Sequence, residues 1–111
     1  MAFEAGCRRE RPAASMPHLI WTQRAVFDLD RLRNFLFTNS PSAAQRAMTT
    51  ILQSARELSR HPLLGRPATD IQPSCREMII RFGKGAYLLL YEVQEDRLVI
   101  HSIRHSREES Y

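Results

Sequence analysis

The side chains that could carry out chemistry are concentrated in the last third of the chain. Apolar runs there lead into a polar end, Arg104-His105-Ser106-Arg107-Glu108-Glu109. Histidine can transfer a proton near neutral pH, and arginine can hold a phosphate or carboxylate group through two parallel hydrogen bonds. The same residues could instead form the solvated end of a strand, where His105 only makes terminal hydrogen bonds. The residue types alone are compatible with both interpretations.

The hydrophobic pattern predicts a sheet that positions this polar end. Residues 78–80, 86–93 and 98–103 are apolar runs separated by Gly83-Lys84-Gly85 and Gln94-Glu95-Asp96. Turn-forming residues between β-rich runs of this length are typical of a three-stranded antiparallel meander. The middle run is apolar on both faces, which favours a central strand.

Two helices are predicted before the meander. Apolar residues recur at helical spacing from Thr22 to about residue 37, and again from Pro41 to about residue 61. Ser40 is a good N-cap and Pro41 suits the first helical position, so the two helices form a hairpin. A short β-type run at residues 18–21 precedes them. The predicted fold class is therefore α+β: a short N-terminal strand, a helical hairpin and a three-stranded antiparallel meander.

Size and composition restrict the class of protein. The chain has 111 residues, enough for one core, and no apolar run is long enough to cross a bilayer. Cys7 and Cys75 are far apart and lack the spacing of a metal site, so we expect a reduced, cytoplasmic protein without metal or cofactor.

The net charge of the chain is +4, but the positive charge is not concentrated in its C-terminal part. Residues 64–111 carry seven Lys+Arg against seven Asp+Glu, so there is no dense basic stripe.

The first 15 residues differ from the rest of the chain. They are small and basic residues without periodicity, and we expect a disordered or loosely attached extension, with Met16 as the natural start. Residues 16–111 form the predicted domain. A basic arm that contacts nucleic acid is the alternative for residues 1–15.

A set of short motifs resembles the RelE/ParE superfamily of toxins from bacterial type II toxin–antitoxin modules. The resemblance covers residues 17–111 and rests on the order and spacing of the motifs. They are Trp21, Ala25-x-x-Asp28-Leu29, Ser42-Ala43-Ala44, Leu58-x-x-x-Pro62-x-x-Gly65-Arg66-Pro67, Arg76-Glu77, Gly85-x-Tyr87, Tyr91-x-Val93 and Val99-x-x-x-Ile103-x-His105-x-Arg107-Glu108. The resemblance implies a cytoplasmic toxin that a cognate antitoxin covers, as a hetero-oligomer, until proteolysis of the antitoxin releases it.

The superfamily offers two mechanisms. RelE-like members cut mRNA on the ribosome without a metal: a base activates the ribose 2′-hydroxyl, cations stabilise the phosphate and an acid protonates the leaving oxygen. His105 or Tyr111 would then transfer protons, and Arg81 and Arg104 would hold phosphate. Three further candidates for these roles are Arg76, Lys84 and Arg107. Arg66 is instead expected to be a loop anchor. ParE-like members poison DNA gyrase without chemistry of their own.

Two features tilt the prediction toward the gyrase mechanism. The helical hairpin is long, and the chain has 15 arginines but a single lysine, Lys84, without the lysine excess expected of a protein that binds ribosomal RNA. Ribosome-dependent mRNA cleavage is the alternative. A module that binds a peptide at its sheet edge is a third, less favoured hypothesis.

The antitoxin is predicted to lie in an apolar groove between the helical hairpin and the sheet edge. Five sizeable apolar residues fall outside or at the margins of the helical stripes that must be buried: Phe27, Phe35, Phe37, Met48 and Leu52. The alternative is that all five belong to the core. Arg104, His105 and Arg107 are expected to show low burial, and Tyr87 and Tyr91 to pack with solvated hydroxyls.

Overall fold

A computed structural model describes residues 18–108. Its elements are β1 (His18–Trp21), α1 (Gln23–Asn39), α2 (Pro41–Arg60), β2 (Arg66–Pro67), β3 (Cys75–Phe82), β4 (Gly85–Val93) and β5 (Arg97–His105). The strands form one sheet in the order β1-β5-β4-β3-β2. Strand β1 runs parallel to β5, and the other pairs are antiparallel. The predicted α+β fold is confirmed, with the two-residue β2 as an unpredicted edge strand.

The helix boundaries follow the capping residues of the sequence. The Thr22 side chain accepts a hydrogen bond from the Ala25 N–H before α1, and the Ser40 side chain accepts one from the Ala43 N–H before α2. These side chains satisfy amide groups that have no partner inside the helix. Pro41 lies in the first turn of α2, as predicted.

Both helices pack on one face of the sheet and form the main core with it. The small residues on the α2 stripe, fully buried alanines among them, let this helix approach the sheet closely. The buried core consists of Ala25, Leu32, Ala47, Ile51, Ala55 and Leu58 on the helices and Ile80, Tyr87, Leu89, Tyr91, Leu98, Ile100 and Ile103 on the strands. We call the opposite side of the sheet the outer face.

The loop between α2 and β3 is fixed by the hydroxyl of Tyr91. This hydroxyl donates a 2.8 Å hydrogen bond to the Pro62 carbonyl and accepts one of 2.9 Å from the Gly65 N–H. A Cβ at Gly65 would lie 2.7 Å from the Glu77 carbonyl oxygen, so the loop passes too close for any side chain. The expectation of a solvated hydroxyl is therefore wrong for Tyr91, because the loop covers it.

Two arginines complete this anchorage. Arg66 donates to the buried Glu77 carboxylate at 2.6 Å, and Arg76 donates to the Gly65 carbonyl at 2.9 Å. Arg66 is thus a loop anchor, as expected. Arg76 has the same kind of role, which argues against its use in catalysis.

Candidate functional site

A pocket of about 570 Å³ opens between the second half of α1, the β3–β4 turn and the end of β5. Its floor is apolar and its rim carries charged groups, which is the usual composition of a binding pocket. The lining residues are Arg31, Leu32, Phe35, Leu36, Phe82, Gly83, Lys84, Gly85, Tyr87, His105, Arg107 and Glu108.

The histidine of this pocket is held by its neighbours. The His105 ring meets the Tyr87 ring edge-on, with centroids 5.4 Å apart. It also lies over Gly85, where an added Cβ would be 2.9 Å from Nε2, so the glycine makes room for the ring. His105 Nδ1 accepts a hydrogen bond of 3.1 Å from the Arg107 N–H. Only Nε2 is therefore left for an external proton donor or acceptor.

The rim contains an ion pair between α1 and the end of the chain. Arg31 donates to the Glu108 carboxylate at 2.6 Å, and the same carboxylate accepts the His105 N–H at 2.8 Å. Desolvation raises the pKa of Glu108, but the hydrogen bonds from the His105 backbone and from Arg31 outweigh it, so the pKa lies below its usual value. Glu108 stays ionised at neutral pH and offsets the charge of Arg31.

The predicted catalytic residues are divided between the two faces of the sheet. His105 and Arg107 line the pocket, whereas Arg81 and Arg104 do not. Ile80 on β3 is buried under the helices, so the alternation of side chains places the exposed Arg81 on the outer face. Arg104 pairs with Leu88 and follows the buried Ile103, which puts it on the outer face too. Tyr111 lies outside the described residues, as does the predicted extension at residues 1–15.

The expectation of low burial at the end of β5 is correct for Arg107 only. Arg104, His105 and Glu108 are half-buried. The Arg104 guanidinium donates to the backbone carbonyls of His105 and Glu108. Arg104 therefore helps to hold the turn at residues 105–108, which sequence alternation alone does not reveal.

The five predicted antitoxin-binding residues fall into two groups, exposed and partly buried. Phe27, Phe35, Phe37 and Leu52 are exposed, with Phe35 the most exposed at 69%. Met48 is partly buried and packs against the main core. Phe35 belongs to the pocket, so one side of α1 brings the two predicted kinds of site residue together.

Sequence reasoning missed the roles of Arg31 and Glu108. They lie 77 positions apart, and no local spacing connects them. In the sequence, Arg31 is one of several polar residues between the apolar positions of the first helix. Glu108 is one acidic residue in a charged stretch. Only the packing of α1 against β5 brings them into contact.

The family model "ParE toxin of type II toxin-antitoxin system, parDE" matches residues 19–110. The chain belongs to this family of toxins. The ParE-family toxin is 44% identical to Toxin RelE3 of Caulobacter vibrioides over 85 residues, which is 77% of this chain and 89% of the relative. It is 33% identical to Toxin RelE2 of the same organism over 82% of this chain and 97% of the relative. The RelE/ParE resemblance is thus confirmed.

A solved structure supports the fold of the ParE-family toxin. A chain of the chromosomal ParDE TA system from P. aeruginosa superposes with a TM-score of 0.67 at 22% identity, covering 81% of this chain and 96% of that chain. Within residues 18–108, neither helix is sufficiently long and apolar to cross a membrane.

Proposed function

We propose that this ParE-family toxin arrests bacterial growth by binding and poisoning DNA gyrase, without chemistry of its own. The observation that carries the proposal is the division of the candidate catalytic residues. Acid–base cleavage of RNA needs a base, an acid and cations converging on one phosphate. Arg81 and Arg104 lie on the outer face, while His105 and Arg107 lie in the pocket on the helix side.

The charges of the pocket add to this argument. Arg31 is offset by Glu108 at 2.6 Å and lies 3.6 Å from the buried Asp28 carboxylate. Among the cationic side chains that line the pocket, only Lys84 and Arg107 lack an ion pair within residues 18–108. Two cations are few for a site that must bind polyanionic RNA, where phosphate neutralisation dominates affinity.

Ribosome-dependent mRNA cleavage is the second candidate. It is favoured by the names of the relatives, RelE3 and RelE2, and by the convergence of Lys84, His105 and Arg107 on one pocket. His105 Nε2 would serve as the proton-transfer atom, and the two cations would hold phosphate.

The cognate antitoxin is proposed to cover the exposed side of the helical hairpin. Phe27, Phe35, Phe37 and Leu52 are large apolar side chains exposed on α1 and α2. An amphipathic segment laid across the hairpin would remove such side chains from water, at about 25 cal/mol per Å² of apolar surface. Phe35 connects this surface with the pocket. An antitoxin bound there would therefore also cover the pocket.

Induced expression of the full chain and of residues 16–111 in bacteria tests the proposal. The expected result is growth arrest with induction of the DNA-damage response and double-strand breaks, and with intact mRNA. Co-expression of the cognate antitoxin should restore growth. His105→Gln should remain toxic, because a gyrase-binding toxin needs no proton transfer. Cleaved mRNA without DNA damage, abolished by His105→Gln, would contradict the gyrase proposal and support the second candidate.

A further inference from the structure

A cluster of three different metal-ligating side chains lies on the outer face of the sheet, away from the pocket. Cys75 is the first residue of β3, Glu92 is near the end of β4, and His101 is in the middle of β5. Their Sγ, carboxylate and imidazole atoms all lie within 4.8 Å of one another. Glu92 Oε1 and His101 Nε2 are 3.0 Å apart.

The register of the sheet brings the three side chains together. Cys75 lies directly opposite Glu92 in the β3–β4 pair. In the β4–β5 pair, Leu90 faces Ser102 and Tyr91 faces Ile100, so His101 is the extra residue of a β-bulge. A bulge re-aims the side chain of the extra residue. Here the imidazole of His101 contacts the carboxylate of Glu92, whose own partner on β5 is Val99, two residues before His101.

The donor set suits a borderline-soft divalent cation. Thiolate, imidazole and carboxylate are the ligands of Zn²⁺, which binds them at about 2.0–2.3 Å in a tetrahedral arrangement. Such bond lengths separate neighbouring ligand atoms by roughly 3.3–3.8 Å. The ligand atoms of Cys75, Glu92 and His101, at most 4.8 Å apart, need only small side-chain movements to reach that geometry. Mg²⁺ and Ca²⁺ prefer oxygen ligands alone and do not match a site with sulfur and nitrogen.

The surroundings of the cluster resemble those of a metal centre with one open position. Cys75 is 2% exposed and packs with Ala68 and Leu90, so its sulfur has an apolar shell on one side. The side chains of Glu92 and His101 are 23% and 32% exposed, so solvent reaches the other side. Three protein ligands with a solvent-facing fourth position are typical of accessible zinc sites.

A cation bound at this site would have to displace the proton of the Cys75 thiol. Burial raises the pKa of the Cys75 thiol, and the negative charge of Glu92 raises it further. A bound divalent cation would offset both effects, because a coordinating thiol loses its proton to solvent as the metal–sulfur bond forms. The thiol contacts the Gln72 side-chain oxygen at 3.5 Å, and the imidazole of His101 is hydrogen-bonded to the Glu92 carboxylate.

We propose that Cys75, Glu92 and His101 form a binding site for a thiophilic divalent cation of the Zn²⁺ class. The ligands come from three strands, which explains why the sequence shows no metal-site spacing. Such a site would cross-link β3, β4 and β5 on the face that the helices leave uncovered. It lies apart from the pocket, so it is independent of the proposed mechanism of toxicity.

Co²⁺ is the probe, because it replaces Zn²⁺ and its bond to a thiolate gives a charge-transfer absorption. The full chain carrying Cys7→Ser has Cys75 as its single thiol, since the sequence contains two cysteines. Titration with Co²⁺ should produce this absorption, saturating at one equivalent, and Zn²⁺ should abolish it by displacement. Absence of the thiolate band in the folded protein would overturn the proposal.

Ligand variants in the same Cys7→Ser background locate the cation. His101→Gln and Glu92→Gln should each weaken Co²⁺ binding by at least about tenfold, as loss of even an outer-shell partner commonly does. His61→Gln is the matched control, because His61 lies 3.5 Å from Glu57 on exposed helix surface and resembles a weak metal pair. Circular dichroism confirms folding of each variant. Unchanged affinity in folded His101→Gln, or loss of binding in His61→Gln, would overturn the site.

Discussion

The hydroxyl of Ser102 on β5 donates a 2.6 Å hydrogen bond to the carboxylate of Asp28 on α1, and both side chains are buried. The same carboxylate oxygen accepts the Ile103 N–H at 3.1 Å, and its other oxygen accepts from Arg24 at 3.2 Å. The buried charge is thus satisfied on both oxygens, as burial of a carboxylate requires. This link fixes α1 against β5 and so sets the position of Arg31, one turn further along the helix.

Asp28→Ala should therefore strongly destabilise the fold. It leaves the Ser102 hydroxyl and the Ile103 N–H buried without their acceptor, and we expect a loss of about 3 kcal/mol in the free energy of unfolding. Ser102→Ala should cost about 1 kcal/mol, since the carboxylate keeps its other donors. Denaturant unfolding measures both. Asp30→Ala is the control, because Asp30 pairs with Arg33 on exposed surface; equal losses for Asp28→Ala and Asp30→Ala would contradict the account.

Tyr91→Phe and Tyr87→Phe should differ, although both tyrosines are buried. The Tyr91 hydroxyl bonds Pro62 and Gly65, so its removal leaves a buried N–H without a partner and should cost about 1–3 kcal/mol. The Tyr87 hydroxyl makes no hydrogen bond within residues 18–108, and its removal should cost less than about 0.5 kcal/mol. The two free energies of unfolding, compared under one set of conditions, test this; equal costs would show that the loop does not depend on Tyr91.

Most of the architecture could be predicted from local signals in the sequence. Periodicity located the helices and the long strands, and Thr22, Ser40 and Pro41 set the helix boundaries, because capping depends on residues a few positions apart. The β-bulge at His101 and the burial of Asp28 could not be predicted. The burial of Asp28 depends on Ser102, more than 70 residues away, and the bulge depends on the pairing of β5 with β4. In the sequence, Asp28 and His101 resemble ordinary polar surface residues.

The candidate site was only partly predictable for the same reason. The polar end of the chain pointed to His105 and Arg107, which line the pocket, and strand alternation indicated that Arg104 faces away from His105. The remainder of the pocket comes from α1 and the β3–β4 turn. Arg31 and Phe35 join it only because the helix crosses the sheet at that point.

Acidification should weaken the contact between the chain end and α1. The folded-state pKa of Glu108 lies below its usual value, so its ion pair with Arg31 contributes stability above the unfolded pKa near 4.5. That contribution disappears as pH falls through the folded-state value. Because the carboxylate is 37% exposed, we expect no more than about 1 kcal/mol. The free energy of unfolding, measured from pH 7 to pH 3, should fall less steeply in Glu108→Gln than in the unmodified protein. An identical slope in the two proteins would contradict an ion-paired Glu108.

Phe35→Ser should leave the toxin folded and weaken its affinity for the cognate antitoxin. The side chain is 69% exposed, so its loss removes contact surface for a partner and little of the core. Ile79→Ser is the matched control, because Ile79 is half-exposed on the outer face. Met48→Ser should instead lower the free energy of unfolding by about 1–3 kcal/mol, since Met48 packs on the core. Isothermal titration gives the affinities; equal weakening by Phe35→Ser and Ile79→Ser would remove α1 from the antitoxin surface.

The activity of purified toxin on purified gyrase tests the central claim most directly. The full chain is incubated with gyrase, ATP and supercoiled plasmid, and cleaved DNA is quantified after denaturation of the protein. A parallel translation reaction reports cleavage of ribosome-bound mRNA. We predict accumulation of linear plasmid that depends on both toxin and gyrase, equally with His105→Gln, and intact mRNA. Cleaved mRNA in the translation reaction, with no linear plasmid at the same toxin concentration, would contradict the account.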